Sequence, residues 1–396
     1  DFNVDKIADA IYKAAQVLGG KDYDMARFLA RQVEVYLLEI CHNDIPTVEQ
    51  IQDAVEKVLI ENGHARTAKE FILYRAERTR VRDMNTRLMK IYEDLTFKEA
   101  KDNDTKRENA NIDGDTAMGT MLKYGSEGAK QFYEMFVLKP DHAKAHREGD
   151  IHIHDMDFLT LTTTCCQIDI EKLFKGGFST GHGFLREPND IQSYAALACI
   201  AIQSNQNDQH GGQSVCDFDY GLAVGVGKTY RRLFKKHVAE AVDLLTDIAD
   251  DRSFAENLLA RVESETGTVA SLEMDPEFRA AVVAGLVEGG VDAATAERVV
   301  AYAEKNASRD TDRQTFQAME ALVHNLNTMH SRAGAQTPFS SVNYGMDTSP
   351  EGRMVIKNML LATEEGLGSG ETPIFPVQIF RVKEGVNYNP EDPNYD

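Results

Sequence analysis

The chain has 396 residues, 42% apolar and 27% charged, with a formal net charge of -21. That length calls for at least two domains of ordinary soluble composition, and the acidic balance argues against nucleic acid as a partner. No apolar run reaches the length of a membrane span and no secretory leader opens the chain, so a cytoplasmic protein without membrane association is expected.

Residues 1–90 read as helical. Ile7, Ile11, Ala14 and Ala15 recur at helical spacing until Gly19 and Gly20 end the run. A second helix covers 23–41. Thr47 followed by Gln50 forms a capping box that opens a third, and Gly63 closes it. A fourth helix carries Arg75, Arg78, Arg80 and Arg82. The stretch 96–125 is polar and asparagine-rich and reads as a connection, followed by a helix over 126–146. From 149 to 170 the pattern is strand-like. Helices are then expected over 187–203, 222–250, 275–305, 313–330 and 349–366, with strands near 338–344 and 372–380. Such alternation predicts an α/β fold, either a barrel or a large parallel sheet.

Five cysteines without regular spacing fit a reducing compartment, and the absence of a CxxC pair leaves no cysteine-rich zinc site in this stretch. Adjacent Cys165 and Cys166 lie in a strand pattern, where side chains alternate between faces. Cys165 shares its face with Thr163 and Gln167, and Cys166 shares the other with Thr164, Ile168 and Ile170. That makes Cys165 the candidate site thiol and Cys166 the core residue; the plain alternative is two packed thiols. His152 and His154, in an HIHD run, would share one face of a strand. Without further ligands nearby they read as a hydrogen-bonded pair rather than a metal site.

Three further segments could meet an anion or a sugar. The run NQNDQHGGQS (205–214) combines side-chain donors with Gly211 and Gly212, which let backbone amides approach a ligand; otherwise it is a polar turn. Lys228, Arg231, Arg232, Lys235 and Lys236 fall on one helix face, as a triphosphate dock or as a solvated stripe. Residues 330–343 join a helix to a strand through a loop holding Arg332, Gly334 and Gln336, able to touch an anionic ligand and still move.

Residues 2–82 resemble an ATP-cone through FNVDKIADAI, PTVEQIQDAVEKVL and AKEFILYR. The resemblance implies a nucleotide site at Asn3, Lys6, Thr47 and Arg78, without the β-hairpin that precedes the cone in the family. The remainder resembles anaerobic, glycyl-radical (class III) ribonucleotide reductases. The matching segments are RENANIDGDTAMGTM, HREGDIHIHDMDF, TTTCCQ, QSNQNDQHGGQS, HNLNTMHSRAGAQTPFSSVNYG and the last 31 residues from GLGSGETPIF onward, in the family's order.

What the resemblance implies is an ATP-cone over 1–90, followed over 91–396 by part of a ten-stranded α/β barrel, incomplete at its C-terminal end. Both ends of the chain read as cuts. The implied activity is reduction of ribonucleoside triphosphates to 2′-deoxyribonucleoside triphosphates, with formate as reductant and ATP, dATP and other deoxynucleotides as effectors. Cys165 would be the strand cysteine that supplies reducing equivalents. His154 would help place formate or substrate, and His210, Gly211, Gly212, Arg332 and Gln336 would meet substrate. Lys228, Arg231 and Arg232 would belong to a specificity-effector site. The thiyl cysteine, the glycyl radical and a structural zinc are expected beyond Asp396. Expected partners are a radical-SAM iron–sulfur activating enzyme and further copies of the same chain. A non-catalytic nucleotide-sensing regulator and another glycyl-radical enzyme are the alternatives.

Overall fold

A computed structural model describes residues 3–41, 45–97, 117–159, 164–246, 251–331 and 337–395. The chain divides into two compact units, Asp1–Lys98 with Ser126–Asp157 and Glu99–Gly125 with Phe158–Asp396.

The first unit is helical. Helices α1 (Val4–Val17), α2 (Tyr23–Cys41), α3 (Val48–Glu61) and α4 (Ala65–Phe97) bury Ile11, Leu29, Val33, Val55, Leu59 and Phe71 in a common core. The expected capping box is present: Gln50 N–H donates to Thr47 Oγ1 at 3.2 Å and Thr47 N–H to Gln50 Oε1 at 2.8 Å. Asn3 caps α1 in a simpler way, accepting from Asp5 N–H at 2.9 Å. Helix α4 continues to Phe97, so the division expected at residue 90 falls inside it. No Gly or Pro interrupts that stretch, which is rich in Arg, Met, Leu and Lys.

Helix α5 (Ala117–Phe132) belongs to this unit from Ser126 onward and ends in a π-helical turn, Tyr133–Val137; α6 (Pro140–Glu148) follows. Arg80 of α4 donates to the carbonyls of Glu134, at 3.3 Å, and Met135, satisfying acceptors that a helix end leaves open. The strand expected from residue 149 is not there. Asp155 adopts φ +48°, outside the pleated region, and Met156–Phe158 form a 3-10 turn. Among the described residues, strand structure begins at Thr164.

The second unit is α/β. Its order is β1 (Thr164–Ile168), α7 (Ile170–Phe174), a two-stranded antiparallel hairpin of β2 (Phe178–Ser179) and β3 (Phe184–Leu185), then α8 (Ile191–Asp208) and β4 (His210–Val215). Four helices follow: α9 (Phe218–Leu245), α10 (Asp251–Thr266), α11 (Pro276–Glu288) and α12 (Ala293–Thr328). The unit closes with β5 (Ser340–Tyr344), α13 (Pro350–Glu365) and β6 (Val377–Phe380). Strands β1, β4, β5 and β6 pair in that order, every pair parallel.

Ile168, Val215, Val342 and Tyr344 point from the sheet into a core shared with α8, α12 and α13. A second core joins the far half of α9 to α10, α11 and the first half of α12. The helix expected over 275–305 is two helices, because Gly289 and Gly290 break it, the latter at φ +96°. Nothing breaks the chain between 305 and 313, so α12 runs through as one element. Among the described residues, no helix is long and apolar enough to cross a membrane.

Candidate functional site

In the first unit a cavity of about 360 Å³ opens between α1, α3 and α4. Ile7, Val55 and Phe71 give it an apolar floor, and Lys6, Arg78 and Arg82 stand among its lining residues. Asn3 also lines it, so three of the four residues expected at a nucleotide site come together here. The fourth, Thr47, is spent on capping α3; its neighbour Val48 reaches the cavity. Arg78 lies 5.7 Å from the Tyr74 ring, a cation–π contact that orients the guanidinium.

Sequence reasoning singled out Arg78 alone from four arginines, and the helical period separates the rest. Arg75, Arg78 and Arg82 are three and four residues apart and share the cavity face. Arg80 falls off that face and holds the π-turn instead. Arg75 is partly committed, donating to Asp53 at 2.7 Å and Glu56 at 3.0 Å. An apolar slot rimmed by fixed cations can take a planar base and bind its phosphates.

In the second unit the sheet's N-terminal edge carries Cys165. This residue adopts φ +61°, and the pairing of β1 with β4 slips between Thr164 and Cys166. Strict alternation therefore fails at Cys165. The thiol is exposed, whereas Cys166 is half-buried and packs on the sheet–helix core. Opposite, Gly211 adopts φ +91°, and His210 stacks on Phe158 at 4.0 Å between ring centroids. Gly212 lies against the Phe339 ring, 3.4 Å from where its Cβ would stand. The edge thus brings Cys165, His210, Gly211 and Gly212 together. Arg332 and Gln336 lie outside the described residues.

Cys199 and Cys216 are poor candidates for thiol chemistry. Cys199 is buried between α8 and α12, and burial pushes its thiol up to about 12. Cys216 is raised by burial and by Asp217 beside it. His154 belongs to the first unit; its side chain is 81% exposed, with Nε2 3.4 Å from Asp155. Its ring lies 5.7 Å from that of His152, which lies 5.8 Å from His146. Among the described residues no three ligand-type side chains converge as a metal would require.

Lys228, Arg231 and Arg232 of the basic stripe on α9 are engaged within the chain. Lys228 donates to Glu187 at 2.6 Å, to the Pro188 carbonyl at 3.0 Å and to the Tyr194 hydroxyl at 3.1 Å. Burial works against its charge, yet those partners keep the ammonium above its ordinary range. Arg231 holds Glu263 at 2.6 and 2.5 Å through two nitrogens, and Arg232 holds Gln314 at 3.0 Å. A phosphate arriving at Lys228 or Arg231 would have to displace Glu187 or Glu263.

Residues 108–396 match the family described as anaerobic ribonucleoside-triphosphate reductase, and residues 1–80 match the ATP cone domain. The chain belongs to the anaerobic ribonucleoside-triphosphate reductase family. It is 25% identical over 399 residues to the anaerobic ribonucleoside-triphosphate reductase of Haemophilus influenzae, covering 100% of this chain and 48% of that protein. The Escherichia coli protein of the same description is 26% identical over 398 residues, covering 100% and 47%. The chain thus spans about half the length of these curated relatives. The ribonucleoside-diphosphate reductase subunit alpha of Chlamydia muridarum is 38% identical over 91 residues, 21% of this chain and 9% of that subunit.

Proposed function

We propose that this chain is the nucleotide-sensing and front catalytic part of an enzyme that reduces ribonucleoside triphosphates to deoxyribonucleoside triphosphates without oxygen. The observation that carries the reading is Cys165, an exposed thiol held at positive φ beside a glycine-lined strand edge. It donates hydrogen to the substrate sugar as water leaves C2′, while His210, Gly211 and Gly212 line the approach. Arg332 and Gln336 meet substrate, and His154 helps to place the reductant. A glycyl radical, together with a cysteine that it oxidises, supplies the one-electron chemistry from outside this chain.

Formate is the final reductant in this proposal, leaving as carbon dioxide as the substrate loses water. The first unit reads ATP against dATP in the cavity of Lys6, Arg78 and Arg82, and forms the ATP-cone. Lys228, Arg231 and Arg232 contribute to effector recognition only if a nucleotide competes for their present acceptors. The sheet closes into a barrel with residues outside this chain, and a structural zinc is held there too. A radical-SAM activating enzyme and a second copy of the protein complete the system, in the cytoplasm.

The test is anaerobic incubation of the full-length protein with its activating enzyme, CTP, formate and ATP. Formation of dCTP is expected. Its absence from a preparation that carries the glycyl radical signal would contradict the proposal.

A further inference from the structure

All-parallel sheets are almost always covered on both faces, and a second layer of helices requires apolar side chains on the second face. Here the helix-facing side has them: Val215 and Val342 are fully buried and Ile168 nearly so. On the opposite side β6 carries Val377 and Ile379, level with Ser341 and Asn343, but β1, β4 and β5 present polar groups. Gln167, Ser214 and Ser341 stand level across β1, β4 and β5, in direct register. Asn343 follows one step along the same face of β5. Four polar, uncharged side chains in adjacent positions are a poor seat for a helix and a good wall for a polar cavity.

The hydrogen bonding gives the wall a direction. Ser214 Oγ donates a long hydrogen bond to Asn343 Oδ1 at 3.5 Å, which favours the amide orientation with its Nδ2–H groups facing away from Ser214. Neutral donors and hydroxyls match the oxygens of a polyol better than the charge of a triphosphate, which takes Arg or Lys. We propose that Asn343, oriented by Ser214 and flanked by Ser341, binds the ribose hydroxyls of the substrate. This rests on the reading of the chain as a ribonucleotide reductase and names residues of its sugar subsite. Asn343 is the contact residue, and Ser214 is a positioning residue acting through it.

The test is calorimetric binding of CTP and of 2′,3′-dideoxy-CTP to the full-length protein. Asn343→Ala should weaken CTP about tenfold, the size of one or two lost hydrogen bonds, and leave the dideoxy compound unchanged. Ser214→Ala should weaken CTP about threefold alone and add nothing in the Asn343→Ala background. Ser341→Ala gives a second variant with minimal risk to folding and the same selective direction. Failure of CTP to bind, equal weakening of both compounds, or unchanged CTP affinity in these variants would overturn the assignment. Intact discrimination in a protein that never forms dCTP would instead leave the subsite standing and remove the proposed reaction.

Discussion

The thiol of Cys165 stands where a side chain at position 211 would have to go: a Cβ built on Gly211 comes within 2.9 Å of both Cys165 Sγ and its backbone N. Both residues sit at positive φ, +61° and +91°, so the close approach uses unusual backbone on both strands. Gly211 needs its freedom twice, for the dihedral and for the space.

Gly181 provides the control, because its φ is +90° but no atom lies within 4 Å of an added Cβ. Gly181→Ala should cost only the backbone term, about 1 kcal/mol. Gly211→Ala adds the collision with Cys165 and should cost roughly 2–4 kcal/mol in urea unfolding. Equal losses would mean that the contact with Cys165 carries no weight.

Thiol labelling should follow burial. Thiolate is the reactive form, so exposed Cys165 should react fastest with iodoacetamide, half-buried Cys166 more slowly, and Cys199, held near 12, slowest. Peptide mass spectrometry over a time course reads the order directly. Faster labelling of Cys166 than of Cys165 would reverse the assignment of faces.

In the helical unit, Arg78→Ala and Arg82→Ala should each weaken ATP binding about tenfold by calorimetry, as expected for a lost charged contact to phosphate. Arg80→Ala should bind ATP as the parent does and instead melt at a lower temperature, since the Glu134 and Met135 carbonyls lose their donor. An Arg80 variant with impaired binding and unchanged stability would move that residue into the site.

Acid should release the clasp between Glu187 and Lys228. The bond to Lys228, with a backbone bond from Gly176, holds the Glu187 carboxyl below its ordinary value. A carboxylate depressed by folding contributes stability above its unfolded pKa and loses it as pH falls through the folded one. The melting-temperature difference between the parent protein and Lys228→Met should therefore hold at neutral pH and close below about pH 4. A difference that persisted unchanged into acid would show that packing, not the ion pair, stabilises this contact.

Much of this was legible from residue patterns because local rules and tertiary structure agree there. Thr47 and Gln50 announce their capping box, and the alternation of strands with helices after Thr164 announces an α/β unit. Two of the misreadings share one cause. Positive φ at Asp155 and at Cys165 is rare for non-glycine residues and leaves no mark in composition, so the HIHD strand and the strict alternation around Cys165 were both expected and neither forms. The basic stripe on α9 was visible at its helical spacing. Its acceptors, Glu187, Glu263 and Gln314, lie far away in sequence and only the fold brings them to it.

The central claim is that Cys165 is the reducing thiol of ribonucleoside triphosphate reduction, and one comparison tests it most directly. Full-length Cys165→Ser and Cys166→Ser proteins are activated anaerobically, the glycyl radical is quantified by electron paramagnetic resonance, and dCTP formed from CTP is measured. The expected result is a normal radical signal in both, no dCTP from Cys165→Ser and near-parental dCTP from Cys166→Ser. A Cys165→Ser protein that still makes dCTP, with Cys166→Ser inactive, would contradict the account.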